Sequence, residues 1–255
     1  MTGISVGDRV AVQVEYGAFA EKLRAPAANC FPMPDGVRFE TAVALGLVYQ
    51  TAHFALVERA RLHAGESVLV LGGSGGVGTA SIQVAKALGA ARVIASVRAI
   101  DDAEVARAAG ADAVIVSGGA ALRDRLRAEV GAANGGRGVD VVIDPVGGEA
   151  SAAALRALGW CGRLVVIGFA SGEIPAIPAN YLLVKNISVL GLQWSDYRER
   201  TPAHVAQVQR NLFDLYLEGR IDPMVTRVVP LARFKEALRA LRDGTAQGKI
   251  VLTMR

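Results

Sequence analysis

Three glycines, Gly73, Gly75 and Gly78, have the spacing G-x-G-x-x-G. They follow the apolar run 68–71 and lead into a small-residue stretch, 79–88, which reads as strand, turn and helix. In such a unit the first glycine allows the tight turn and the second lets a phosphate approach the backbone. The third lets helix and strand pack closely. The backbone N–H groups of Ser74, Gly75, Gly76 and Val77 are then candidate donors to an anion, helped by the positive end of the helix dipole. The chemistry expected is capture of a dinucleotide's pyrophosphate. The alternative is a glycine turn that serves packing alone.

A second group of residues lies just after the next strand, 92–96. An acidic side chain there accepts the ribose hydroxyls of NAD, whereas a cation without an acid suits the 2′-phosphate of NADP. This chain has Ser96-Val-Arg98, with Asp101 and Asp102 later, where they are expected to cap the following helix. Arg98 can pair bidentately with a phosphate, so NADPH is the expected cofactor; a solvated surface arginine is the alternative. The nicotinamide is expected over the carboxyl ends of strands, where Asp144-Pro-Val146 and Ile167-Gly-Phe169 emerge. Tyr49, Tyr181 and Lys249 are candidates to line the pocket, with packing or surface roles as alternatives. Cys30 and Cys161 lack metal-ligand spacing, and His53, His63 and His204 have no partners at ligand spacing, so no metal site is expected.

The elements that must position these residues alternate regularly. Strands are expected at 68–71, 92–96, 113–116, 139–143, 163–167 and 187–190, with helices at 79–88, 102–109, 120–130 and 150–158 between them. This is the pattern of an α/β fold with a doubly wound, parallel, six-stranded Rossmann sheet. Upstream, 8–14 and 17–24 alternate like strands, and 39–47 and 49–60 read as helices. Downstream, helices are expected at 203–218 and 231–242 and strands near 224–229 and 249–253. The expected division is 1–45, 46–222 for the dinucleotide-binding domain, and 223–255. Hydrophobic residues make up 52% and aromatics only 5%, which suits a sheet covered on both faces by aliphatic helices.

The chain resembles the zinc-free quinone oxidoreductase, or zeta-crystallin-like, branch of the medium-chain dehydrogenase/reductase superfamily. The resemblance rests on Val6-Gly-Asp-Arg-Val10, Gly17-Ala-Phe-Ala-Glu21, Phe31-Pro-Met-Pro-Asp-Gly36, Thr51-Ala52 and the 72–78 glycine turn. It continues through Gly110-Ala-Asp112, Asp144-Pro-Val-Gly-Gly148, Gly162-Arg-Leu-Val-Val-Ile-Gly168 and Gly248-Lys249. It implies NADPH as hydride donor, a Rossmann domain inserted in a GroES-like β domain represented by 1–45 and 223–255, and a homodimer through the strand at 187–190. It also implies that the backbone of Ile167, Gly168 and Phe169 and the Leu192–Trp194 region hold the carboxamide, with Thr51 facing the ring. Phe169 and Trp194 as plain core aromatics is the alternative. Leu47 falls where the zinc-dependent relatives place a cysteine ligand.

Two departures stand out: relatives often carry a lysine where this chain has Asp102, and a tyrosine where it has Ser117. Relatives also have most of the GroES-like domain, with substrate-pocket Asn and Tyr side chains, upstream of Val6. The expectation is therefore an incompletely assigned or truncated product, with a short variant as the alternative. The substrate expected is a quinone or an α,β-unsaturated carbonyl compound. The alternatives are an enoyl-thioester reductase and a non-catalytic dinucleotide-binding fragment. No individual side chain is assigned a catalytic role. Net charge is +4, with basic and acidic residues interspersed, so a nucleic-acid surface is not expected. No membrane segment or secretory leader is expected, and two unpaired cysteines suit the cytoplasm.

Overall fold

The computed structural model describes residues 3–118 and 122–254. Strands β1 (Val10–Val12) and β2 (Cys30–Pro32) come first, then helices α1 (Phe39–Leu45) and α2 (Leu47–His53) and a π-helical turn, Phe54–Arg59. The alternating part follows: β3 (Ser67–Leu71), α3 (Gly76–Ala87), β4 (Arg92–Val97), α4 (Ala103–Ala108), β5 (Ala113–Val116), α5 (Leu122–Ala133), β6 (Val139–Asp144), α6 (Gly148–Ala157) and β7 (Leu158–Val166). Then come α7 (Ala179–Lys185), β8 (Ser188–Gly191), α8 (Trp194–Arg200), α9 (Pro202–Leu217), β9 (Val225–Pro230), α10 (Phe234–Arg242) and β10 (Lys249–Thr253).

The chain divides into two compact units. One ends at Thr51 and resumes at Trp194; the other is Ala52–Gln193. The sequence expectation puts these boundaries at 45/46 and 222/223.

In Ala52–Gln193, six parallel strands run in the order β5-β4-β3-β6-β7-β8, the doubly wound arrangement expected. All five residues of β3 are buried, as a central strand covered on both faces requires. Alternation sends Leu69 and Leu71 to one face. There they join Ile115, Val142 and Leu164, together with Leu122, Leu126 and Val130 of α5 and Ala153, Ala154 and Ala157 of α6. The other face is finished with small residues: a methyl group placed on Gly73 would meet Ala95, Ile82 and Ala106. The first two residues of the expected helix 120–130 lie outside the described residues.

The other unit pairs β1 with β2 antiparallel and β9 with β10 parallel. Helix α9 buries Val205, Val208, Leu212 and Phe213. Gln50 Nε2 donates to Gln209 Oε1 at 2.7 Å inside it. Tyr49 is also buried, and burial, reinforced by the negative charge of Asp222, pushes its phenol pKa far up. The phenol therefore stays protonated. The strand expected at 17–24 does not form: that segment is a series of bends, with Gly17 at φ +88°. Two seven-residue helices, α7 and α8, stand where no helix was expected. No helix among the described residues is long and apolar enough to cross a membrane.

Candidate dinucleotide site

The glycine turn connects β3 to α3, and Gly72, Gly73 and Gly78 each have a separate steric reason. Gly72 adopts φ +64°, a left-handed conformation. A Cβ on Gly73 would lie 2.7 Å from the Ala95 Cβ. A Cβ on Gly78 would lie 2.1 Å from the Gly72 carbonyl oxygen, so α3 can start here only with a bare α-carbon at that position. Gly73 N–H donates to Ser96 O at 2.9 Å, which locks the turn to the end of β4.

Gly75 is the N-cap of α3 and its N–H donates inward to Gly72 O at 3.0 Å. It contributes room rather than a donor, unlike its expected role. The N–H groups of Ser74, Gly76 and Val77 make no hydrogen bond among the described residues, and all three residues are partly exposed. Unpaired N–H groups, the helix dipole and the missing Cβ atoms together fit a pyrophosphate.

The neighbouring rim is built by β4, β6 and β7. Ser96 is buried within β4, and Arg98 stands exposed just beyond it. Asp102 stands at the N-cap of α4 without a side-chain bond to that helix, but it caps the short 3-10 turn Ile100–Asp102 that leads into it. Its carboxylate accepts from Ala99 N–H, the N-cap of that turn, at 3.4 Å. At the end of β6, the fully buried Asp144 accepts from the N–H groups of Val146 and Gly147, both at 2.9 Å, and from the Ser151 hydroxyl. These three bonds fix the turn that presents Val146, whose Cγ2 lies 3.1 Å from where a Gly72 Cβ would be.

The β7 end is tied to the same turn. Ile167 N–H donates to Asp144 O at 2.8 Å, Ala170 N–H to Pro145 O at 3.1 Å, and Ser171 N–H to Val146 O at 2.8 Å. Gly147 sits at φ +80°, and a Cβ there would meet Phe169 and the Glu173 carbonyl. Phe169 is 43% exposed, so it is no core aromatic. Leu192 is buried, and its N–H donates to Val166 O at 2.9 Å. The structure thus brings Ser74, Gly75, Gly76, Val77, Ser96, Arg98, Val146, Ile167, Gly168, Phe169 and Leu192 to the carboxyl edge of one sheet.

The other candidates belong to the second unit, with one exception. Thr51 is buried in α2, where its hydroxyl donates to Leu47 O at 2.7 Å. Trp194 opens α8, is 8% exposed, and carries the Arg198 guanidinium 5.5 Å above its ring; Arg198 also pairs with Glu15 at 2.6 Å. Lys249 opens β10, and burial lowers its ammonium pKa. The exception is the pocket candidate Tyr181, which lies in α7 with the Arg156 guanidinium 5.2 Å from its ring. Sequence reasoning quoted Asp144 but missed its work as the anchor of the rim. The signal was a carboxylate ending an apolar strand immediately before Pro-Val-Gly-Gly.

The model of the zinc-binding dehydrogenase family matches residues 76–210. The chain is 35% identical to the bovine (Bos taurus) quinone oxidoreductase-like protein 2 over 252 residues, which is 99% of this chain and 71% of that protein. It is similar to the crystal structures of the Thermus thermophilus quinone oxidoreductase and its NADPH complex, with a TM-score of 0.84 and 32% identity. That match covers 99% of this chain and 79% of the other. It also matches a highly reducing polyketide synthase of Didymella fabae, at 30% identity over 99% of this chain and 13% of the synthase. With this rim, this strand order and these relatives, the chain belongs to the quinone oxidoreductase branch of the medium-chain dehydrogenase/reductase superfamily.

Proposed function

We propose that this chain is an NADPH-dependent, zinc-independent oxidoreductase that reduces quinones or α,β-unsaturated carbonyl compounds. The observation that carries the reading is the Gly73–Gly78 turn, which leaves the N–H groups of Ser74, Gly76 and Val77 at the start of α3 without a partner among the described residues. The complexes of the relatives with NADPH support the choice of cofactor. When bound, NADPH supplies a hydride from its reduced ring. The chain's own residues bind and orient. The α3 turn takes the pyrophosphate, Arg98 the 2′-phosphate, and the Asp144-anchored rim with Ile167, Gly168 and Phe169 the carboxamide end. By the family resemblance, Thr51, Trp194 and Lys249 are further candidates for binding the cofactor. This orientation is the catalytic contribution, and no side chain is assigned as an obligatory acid.

A second copy of the chain is the proposed partner, meeting along β8. That strand is the last of its sheet and, among the described residues, pairs only with β7, while the nearby Leu183 and Val184 are 78% and 77% exposed. The test of function is oxidation of NADPH in the presence of a simple quinone or an enone. Acceleration over the acceptor-free rate is expected; oxidation no faster with either acceptor would overturn the reading. The match to a polyketide synthase favours one second reading, an enoyl-thioester reductase. Preferential turnover of an enoyl-coenzyme A over quinones would establish it. Saturable NADPH binding without turnover of any acceptor would instead mark a non-catalytic binding protein.

A further inference from the structure

Beyond Arg98, the adenosine end of the rim holds a second guanidinium, on a helix rather than on a strand end. The path to it starts at β5. Ser117 folds back onto β4, with its N–H and its hydroxyl both donating to Val97 O at 2.7 and 2.9 Å. Gly118 follows, so close to β4 that a Cβ there would lie 2.5 Å from the Arg98 carbonyl oxygen. Only glycine lets the two strand ends touch at this point. The Gly118 carbonyl in turn accepts from Arg125 Nη2 at 2.7 Å, which draws the Arg125 guanidinium from the first turns of α5 to the backbone beside Arg98.

Arg125 is not used up by this contact. Its Nε is buried without a hydrogen-bond partner, and Glu129 Oε1 stands 3.6 Å away, an ion pair beyond hydrogen-bonding distance. Among the described residues only one of its five N–H donors makes a hydrogen bond, and its side chain is 36% exposed. Two of the acids on these elements make contacts of their own. Asp102 turns its carboxylate to Ala99 N–H, and Glu129 approaches Nε, whereas the Gly118 contact is made by Nη2.

We propose that Arg125 is a specificity-determining residue, the second cation of a clamp for a phosphomonoester on the adenosine ribose. Arg98 approaches that dianion from the end of β4 and Arg125 from α5, with Gly118 setting their spacing. A dianion held by two guanidiniums binds through charge-assisted, bidentate hydrogen bonds that a ribose hydroxyl cannot reproduce. The proposal rests on the dinucleotide reading of the rim and adds the group that distinguishes NADPH from NADH.

The experiment measures dissociation constants of NADPH, NADH, 2′,5′-ADP and 5′-AMP for the wild-type chain and for Arg125→Gln, Arg125→Lys and Arg98→Gln. Arg125→Gln is expected to weaken NADPH and 2′,5′-ADP by about tenfold while leaving NADH and 5′-AMP unchanged, and Arg125→Lys to recover part of the loss. Equal loss for all four ligands, or an unchanged NADPH to NADH ratio in Arg125→Gln, would overturn the role of Arg125. A wild-type chain that binds NADH as tightly as NADPH would instead overturn the cofactor choice itself. Thermal melts of the variants separate loss of a contact from loss of the fold: Arg125→Lys keeps the charge, so a wild-type melt with recovered affinity assigns the effect to the clamp.

Discussion

A hydrogen at Gly78 in place of a methyl decides where α3 begins. With its Cβ only 2.1 Å from the Gly72 oxygen, Gly78→Ala must push the first turn of the helix off β3. The expected outcome is a loss of about 3 kcal/mol of stability in urea titrations, together with at least roughly tenfold weaker NADPH binding by fluorescence. Asp144 is the second residue on which the rim depends. Removing its carboxylate leaves two backbone N–H groups and the Ser151 hydroxyl without acceptors in a buried place. Asp144→Ala should cost about 3 kcal/mol or more, whereas Asp144→Asn, which keeps an acceptor oxygen, should cost less. Urea titration of the two variants beside wild type checks that order. The glycine spacing was legible in the sequence because its steric demands recur in every strand–turn–helix of this kind. The inward bond of the Gly75 N–H and the three bonds to Asp144 were not, because they depend on how the 144–148 and 167–173 segments fold against each other.

The elements are held in register by contacts at both ends of the strands. At the amino end, Glu66 just before β3 binds Arg163 of β7 through two bonds, at 2.9 and 2.6 Å, and also accepts from His63 N–H. Partial burial pushes the Glu66 carboxyl up, but the Arg163 and His63 bonds outweigh it, so its pKa falls below the ordinary 4.5. A lowered carboxyl pKa means that the contribution is complete above 4.5 and fades as pH drops through the folded-state value. Glu66→Gln should therefore cost about 1–2 kcal/mol at neutral pH, and the gap to wild type should close on acidification. Chemical denaturation across that range checks it. The alternating strands and helices of the sheet could be read from apolar runs, since β3 and β6 are buried almost throughout. Alternation misled at 17–24, because a half-apolar stretch becomes a strand only where a neighbour pairs with it. Helices α7 and α8 escaped notice because each is only seven residues long, α7 behind Pro175 and Pro178 and α8 rich in charge. The π-helical turn after α2 has no periodic signature that separates it from an ordinary helix.

At the scale of the whole molecule, strands alternating with helices were enough to expect a doubly wound parallel sheet, whereas the order of its six strands is a finding of the structure. Family membership was legible because many short motifs occur in the same order along the chain. The proposed dimer predicts a solution mass of twice 26.6 kDa by sedimentation at micromolar protein; a monomer there would remove β8 as an interface. NADPH binding at this rim depends above all on the start of α3 receiving a diphosphate. Calorimetric titration of NADPH into the chain, beside the Gly78→Ala variant, tests this most directly. Saturable binding at a single site, lost or strongly weakened in the variant, is expected. No saturable binding by the wild-type chain, or equal binding by a folded Gly78→Ala, would contradict it.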